Sequence, residues 1–225
     1  MIIRAENISK KYSRVTKMKS HFEAVKPLDF CLEEGKLTEI TGRSGSGKST
    51  LLYMLSGLLK PSTGKVLFDE TDLYSLDDDE LSRFRNQKIG VIPQGQTGLY
   101  SLTVLQNVLS PAAIYGDTGK YKKRAKELLE MVGISDLASS KMRELSGGEM
   151  RRMAIARSLL LSPQVLFADE PTDDLDDENT NSVLSLLKQT ANNGTSVLLV
   201  THESSAAQFA DVIYNMESGV LSKQL

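Results

Sequence analysis

Cysteine occurs once in this 225-residue chain, histidine twice, and tryptophan not at all. The lone Cys31 excludes an internal disulfide framework and any zinc site built from several thiolates, and it suits a reducing compartment. Apolar runs of membrane-spanning length are missing too. The longest, such as Leu51–Leu59 and Val197–Val200, fall far short of the roughly 20 residues that cross a bilayer. The opening residues MIIRAENISKKY lack the apolar stretch of a secretory signal, so the expectation is a cytoplasmic protein. Nor is there a basic excess: 27 Lys and Arg against 29 Asp and Glu leave a net charge of −2, which argues against a nucleic-acid binder. What is present suffices for a core, with 40% hydrophobic and 25% charged residues and neither internal repeats nor a low-complexity linker.

Four short apolar segments read as strands buried on both faces: Leu37–Thr41, Ile89–Ile92, Val165–Ala168 and Val197–Val200. Glu39 interrupts the first. Helical patterns alternate with them. Lys48–Leu59 follows a glycine-rich turn and meets a breaker in Pro61, while Ser75–Asn86 opens on the acidic run Asp77–Glu80. Tyr121, Leu128, Leu129 and Val132 recur at helical spacing among Lys122, Lys123, Arg124 and Lys126. Alternating strands and helices predict a doubly wound parallel sheet. The stretch from about Gln96 to Leu160 shows only helical and loop patterns and reads as an insertion between two strands.

Gly42-Arg43-Ser44-Gly45-Ser46-Gly47-Lys48-Ser49 fits the P-loop pattern G-x-x-x-x-G-K-[ST]. Such glycines let successive backbone N–H groups point at phosphates, and the helix that follows adds its positive end. Lys48 would reach the β/γ-phosphates, with Ser49 on Mg²⁺ and Thr50 beside it. A second element ends in acids: Val165-Leu166-Phe167-Ala168-Asp169-Glu170 delivers two carboxylates to the crevice beyond the strand ends. Asp169 would hold Mg²⁺, and Glu170 would orient or deprotonate an attacking water. The acidic run Asp173–Glu178 is no calcium loop, since the glycine an EF-hand needs at its sixth position is absent. Lys10, Lys11, Arg14, Lys17 and Lys19 read as a solvated basic loop, His21 as a loop residue, and Cys31 as facing the core.

At Leu145-Ser146-Gly147-Gly148-Glu149 the chain resembles the ATP-binding cassette (ABC) ATPases, whose signature reads LSGGQ or LSGGE; the segment lies about 20 residues before Asp169, in family order. Other family elements fall around it. Gln94, after Ile92-Pro93, looks like the Q-loop glutamine, Asp176 like the D-loop aspartate, and His202 like the switch histidine. Tyr12 sits where the family places an aromatic against adenine. The resemblance implies a P-loop NTPase of α/β class, with a RecA-like parallel-sheet core, an N-terminal antiparallel β subdomain and an inserted helical subdomain. The expected division is one domain over 1–225, with 1–95 and 161–225 as the core and 96–160 as the helical part carrying the signature.

The resemblance further implies a dimer, of this chain or with a second ABC ATPase, closing around two Mg-ATP. Each nucleotide would meet Lys48 and Asp169 of one subunit and Ser146, Gly147 and Gly148 of the other. Glu170 and His202 would act on the reaction, and Gln94 would touch Mg²⁺ or water. Residues Leu81–Gly90 and Leu102–Val108 are similar to the LolD/MacB/FtsE group, which implies a separate transmembrane permease, a peripheral place on the inner face of the cell membrane and a partner groove over Gln96–Pro111. Pro93 and Met150 depart from the usual residues there. Two alternatives stay open: a regulatory ABC ATPase of cell-division type, which keeps every motif, and a cytosolic ABC regulator, which tandem cassettes, a coiled coil or a basic surface would mark. A P-loop kinase leaves the signature and His202 unexplained.

Overall fold

The structure is a computed structural model describing residues 2–14, 20–95, 98–116, 118–173 and 175–224, with the backbone alone for residues 14, 20 and 21. Lys17, Lys19, Gln96 and Thr97, from the expected basic loop and partner groove, lie outside these residues.

Two sheets organise the chain. Strands β1 (Ile3–Arg14) and β2 (Ser20–Leu32) pair antiparallel in the first, which β4 (Thr63–Phe68) and β5 (Thr71–Asp72) complete in the order β2-β1-β4-β5. The second has six strands in the order β10-β9-β3-β8-β7-β6. Its parallel members are β3 (Leu37–Thr41), β6 (Ile89–Ile92), β7 (Val165–Asp169), β8 (Ser196–Val200) and β9 (Val212–Glu217), and β10 (Val220–Lys223) pairs antiparallel with β9.

Alternation along these strands divides the core. Ile40, Val165, Phe167, Leu198 and Val200 face the side packed by α1 (Lys48–Leu55), α2 (Asp78–Lys88) and the antiparallel sheet. Leu37, Leu166, Ala168, Val197 and Leu199 face the side packed by α3 (Val104–Tyr115), α4 (Thr118–Met131), α5 (Gly147–Leu159) and α6 (Asp177–Asn192). Burial on both faces explains the unbroken apolar runs. Helices α3, α4 and α5 all lie between β6 and β7 in chain order.

Several local expectations change. Helix α1 stops at Leu55, short of Leu59 and well before Pro61. Gly57 adopts φ +73° and turns the chain back, so that the N–H groups of Leu58 and Leu59 both donate to Tyr53 O. Helix α2 begins later than Ser75, because Asp77 caps it: its side chain accepts from Glu80 N at 2.8 Å while Asp77 N donates to Glu80 Oε2 at 3.0 Å. Lys10 and Lys11 belong to β1 and His21 to β2, so none is a loop residue. Lys10 Nζ donates to Lys60 O at 2.7 Å, and Lys11 pairs with Glu23 at 3.5 Å. Cys31 is half-buried between the buried Phe30 and Leu32, on the other face of β2 from both. Glu39 leaves β3 intact and sits in it 2% exposed, with Oε2 unpartnered; burial pushes its pKa up to about 7.

Candidate functional site

Beyond the carboxyl end of β3, the loop Gly42–Gly47 turns into α1. Gly47 has φ +110°, and a Cβ there would stand 2.2 Å from Ala24 O, so no other residue fits this corner. Lys48 follows, 5% exposed and folded back over the loop: Nζ donates to Gly42 O at 2.7 Å and Arg43 O at 3.2 Å. Ser49, the next residue, reaches the end of β7, where Oγ donates to Asp169 Oδ1 at 2.8 Å.

Asp169 is fully buried and its Oδ2 has no hydrogen-bond partner. Burial raises its pKa, against the hydroxyls of Ser49 and Tyr53, which pull it down. An orphaned carboxylate oxygen beside a serine hydroxyl is a hard-oxygen donor pair, the chemistry Mg²⁺ selects. Among the described residues no group of three His, Cys, Asp or Glu side chains forms a metal cage. Two protein oxygens with the remainder supplied by phosphate and water is how Mg²⁺ is usually held, so these residues fit that ion.

Glu170, the next residue, has φ +46°, an uncommon conformation for a side chain larger than glycine. Its N–H donates to Val200 O at 2.8 Å, which ties the residue just past β7 to the end of the parallel strand β8. One carboxylate oxygen lies 3.6 Å from Lys48 Nζ, and the other lies 2.9 Å from His202 Nδ1 and accepts from His202 N at 3.3 Å. Gln94 is turned aside, with Nε2 donating to Asp173 Oδ2 at 3.3 Å.

A cavity of about 250 Å³ brings Tyr12, Ser44, Gly45, Gly47, Lys48, Ser49, Thr50, Gln94 and Glu170 together. Gly42, Arg43, Ser46 and His202 line a larger space of about 730 Å³ on the side toward Asn215–Ser218. Ser146, Gly147, Gly148 and Asp176 line neither. They form a separate cluster at the starts of α5 and α6. Ser146 caps α5 by accepting from Glu149 N at 3.3 Å, and its own N–H donates to Glu149 Oε2 at 2.7 Å, which lowers the Glu149 pKa. Asp176 caps α6 through Asn179 N at 2.8 Å, holding its own pKa low.

Three residues of this region escape a reading of motifs. Phe22 lies opposite Tyr12 across β1 and β2 and lines the same cavity; both are exposed. Tyr53 stands one turn beyond Ser49 on α1, and burial together with the Asp169 carboxylate holds its phenol up to about 12. The i, i+4 spacing from Ser49 would have marked it. Asn179 sits so close to α5 that a Cβ on Gly148 would stand 2.4 Å from its Oδ1. The absence of a side chain at Gly148 therefore has a reason within the chain itself.

The sequence pattern of the ABC transporter family matches residues 25–173. The lipoprotein-releasing system ATP-binding protein LolD of Saccharophagus degradans is 40% identical over 225 residues, covering 99% of this chain and 97% of the relative. The macrolide export ATP-binding/permease protein MacB of Chlorobaculum tepidum is 35% identical over 98% of this chain, which spans 33% of that longer protein. Among solved structures, the dimeric ATP-binding cassette MJ0796 in a post-hydrolysis state with ADP and Pi superimposes with a TM-score of 0.89 at 34% identity, over 99% of this chain and 98% of the other.

Proposed function

We propose that this chain, which belongs to the ABC transporter family, is the ATP-hydrolysing subunit of a transporter of lipoprotein-releasing or macrolide-export type and drives a separate transmembrane permease. Among the described residues no helix is long and apolar enough to cross a membrane. In this reading the spanning part belongs to that partner and the chain lies peripherally on the inner face of the cell membrane. The chain acts as one cassette over 1–225, with 96–160 as the helical part inserted in the core of 1–95 and 161–225.

The single observation that carries the reading is the hydrogen bond from the half-buried Ser49 to the buried Asp169, with one carboxylate oxygen left over, at the foot of a glycine loop whose lysine lies within reach of Glu170. ATP would lay its phosphates on the backbone N–H groups from Arg43 to Thr50 at the positive end of α1. Lys48 would leave the Gly42 and Arg43 carbonyls for the β/γ-phosphates, and Tyr12 with Phe22 would meet the adenine. Ser49 and Asp169 would hold Mg²⁺, with Gln94 alongside. Held there, the ion would supply positive charge against the negative charge that develops on the phosphates as the bond to the leaving oxygen breaks.

Glu170 would orient the attacking water and accept its proton, and His202 would hold Glu170 in place and contact the γ-phosphate. A second copy, or a second cassette, would bring Ser146, Gly147 and Gly148 with Asp176 against that phosphate, so that two ATP join two subunits by reciprocal contacts. Water and ATP become ADP and Pi; the γ-phosphate contacts are lost and the subunits part.

The test is capture from detergent-solubilised native membranes with tagged Glu170→Gln protein and Mg-ATP, read by mass spectrometry. A multi-span membrane protein carrying a large domain on the far side of the membrane is the expected partner. Recovery of soluble proteins alone, with the subunits dimeric, would favour a cytosolic ABC regulator instead.

A further inference from the structure

Arg151 and Arg152 follow one another near the start of α5, so their side chains leave the helix about 100° apart. Arg152 turns toward α6: it donates to Asn179 Oδ1 at 2.9 Å, and Asn179 Nδ2 donates to both oxygens of Asp176 at 3.0 Å. Arg151 turns the other way. It is 7% exposed, and its Nη1 donates to Gly95 O at 2.7 Å and Pro93 O at 3.2 Å. Those two carbonyls flank Gln94. The helix that opens with Ser146-Gly147-Gly148 thus holds the backbone on both sides of Gln94.

We propose that Arg151 is a positioning residue that couples the two nucleotide sites of the dimer. It ties Gln94, at the chain's own nucleotide, to the helix whose start caps the partner's. The inference rests on the ATPase-dimer reading and adds to it a named link between the sites. Both bonds are charge-assisted, and one planar guanidinium serves two carbonyls two residues apart, which fixes the residue between them. Helix α5 moves as a rigid unit. When its first turn engages the partner's γ-phosphate, the carbonyls of Pro93 and Gly95 follow, and Gln94 is drawn from Asp173 toward the chain's own nucleotide. Linkage makes the influence reciprocal.

A double-mutant cycle tests this in the full-length protein turning over Mg-ATP. Arg151→Met keeps the aliphatic bulk and removes the donors. It should lower kcat by ~10-fold, within the usual range of coupling effects, leave KM within ~2-fold and bring the Hill coefficient for ATP toward unity. Adding Arg151→Met to Gln94→Ala should cost nothing further, and Arg151→Lys should recover part of the loss, since an ammonium keeps the charge and the donors but not the reach and planar placement of Nη1. Multiplicative losses in the double variant, or a kcat loss with the Hill coefficient intact, would overturn the proposal. If Arg151→Met does not fold, Arg151→Lys takes its place in the cycle. Absence of turnover in the wild type would instead be the failure of the parent reading. The link is then read without nucleotide, as faster hydrogen exchange at the amides of Gln94 and Gly95 in Arg151→Met with residues 45–50 unchanged. Equal exchange at Gln94 and Gly95 would overturn the link itself.

Discussion

The Nδ1 atom of His202 lies 2.9 Å from Oε2 of Glu170, while the other oxygen of the same carboxylate lies 3.6 Å from Lys48 Nζ. One side chain therefore joins the glycine loop to the end of β8, in a residue whose backbone is itself in the left-handed region. Strain of that kind is kept where the surrounding structure over-determines it. His202→Ala should lower turnover by ~10²-fold, the scale of losing one pre-placed electrostatic group, with ATP affinity within a few-fold of wild type. Steady-state kinetics and nucleotide titration separate the two. A large loss of affinity with kcat intact would put His202 in binding alone.

Asp169 is buried with an unpartnered oxygen, so its charge destabilises the nucleotide-free fold. Asp169→Asn keeps an acceptor for Ser49 Oγ and removes that charge. It should raise the melting temperature without nucleotide by ~2–4 °C and abolish the added stabilisation by Mg-ATP, together with turnover. A lower melting temperature in the absence of nucleotide would mean that the carboxylate is needed for folding rather than for the ion.

Glu39 sets a pH dependence of opposite sense to most acids. Its folded pKa of about 7 lies above the ordinary 4.5, so the protonated form is favoured by folding. This contribution is complete below pH 4.5 and is lost as the pH rises through 7, a change on the order of 3 kcal/mol. Glu39→Gln should match wild type at pH 4.5 and exceed its stability at pH 8. Denaturant midpoints for the two proteins at both values check it; parallel pH profiles would place the titration elsewhere.

Gly148→Ala would press a methyl group onto Asn179 and dislodge it from Asp176 and Arg152. A loss of ~1–2 kcal/mol is expected from the crowding and the weakened cap. Gly148→Ala in an Asn179→Ala background should cost nothing and gain from helix propensity. Gly147→Ala meets only Leu175 Cδ2 at 3.6 Å and should be neutral for stability, its effect confined to turnover.

The chemistry was legible in the chain because phosphate loops and strand-end acids are local patterns with fixed spacing. Gly42–Ser49 and Val165–Glu170 could be placed on a strand and a turn without tertiary knowledge, and the family fold follows from their order. What escaped depends on register and packing. Phe22 joins Tyr12 only through the β1–β2 pairing, and Arg151 reaches Pro93 and Gly95 across 58 and 56 residues. Lys10 and Lys11 read as loop because charge on an exposed strand face resembles charge in solvent. Pro61 is a conspicuous helix breaker and Gly57 a quiet one, so the sequence predicts a longer α1 than the chain forms. Glu39 read as an interruption because a lone buried acid contradicts the pattern of a covered strand while leaving its backbone pairing intact.

The most direct test of the account is the association state of Glu170→Gln by light scattering during size exclusion, with and without Mg-ATP. The account predicts a monomer without nucleotide and a species of twice the mass with it, stable because hydrolysis no longer separates the subunits. Its turnover should fall to a trace of the wild-type rate. A Glu170→Gln protein that stays monomeric in Mg-ATP and hydrolyses at the wild-type rate would contradict both the role of Glu170 and the ATP-held dimer.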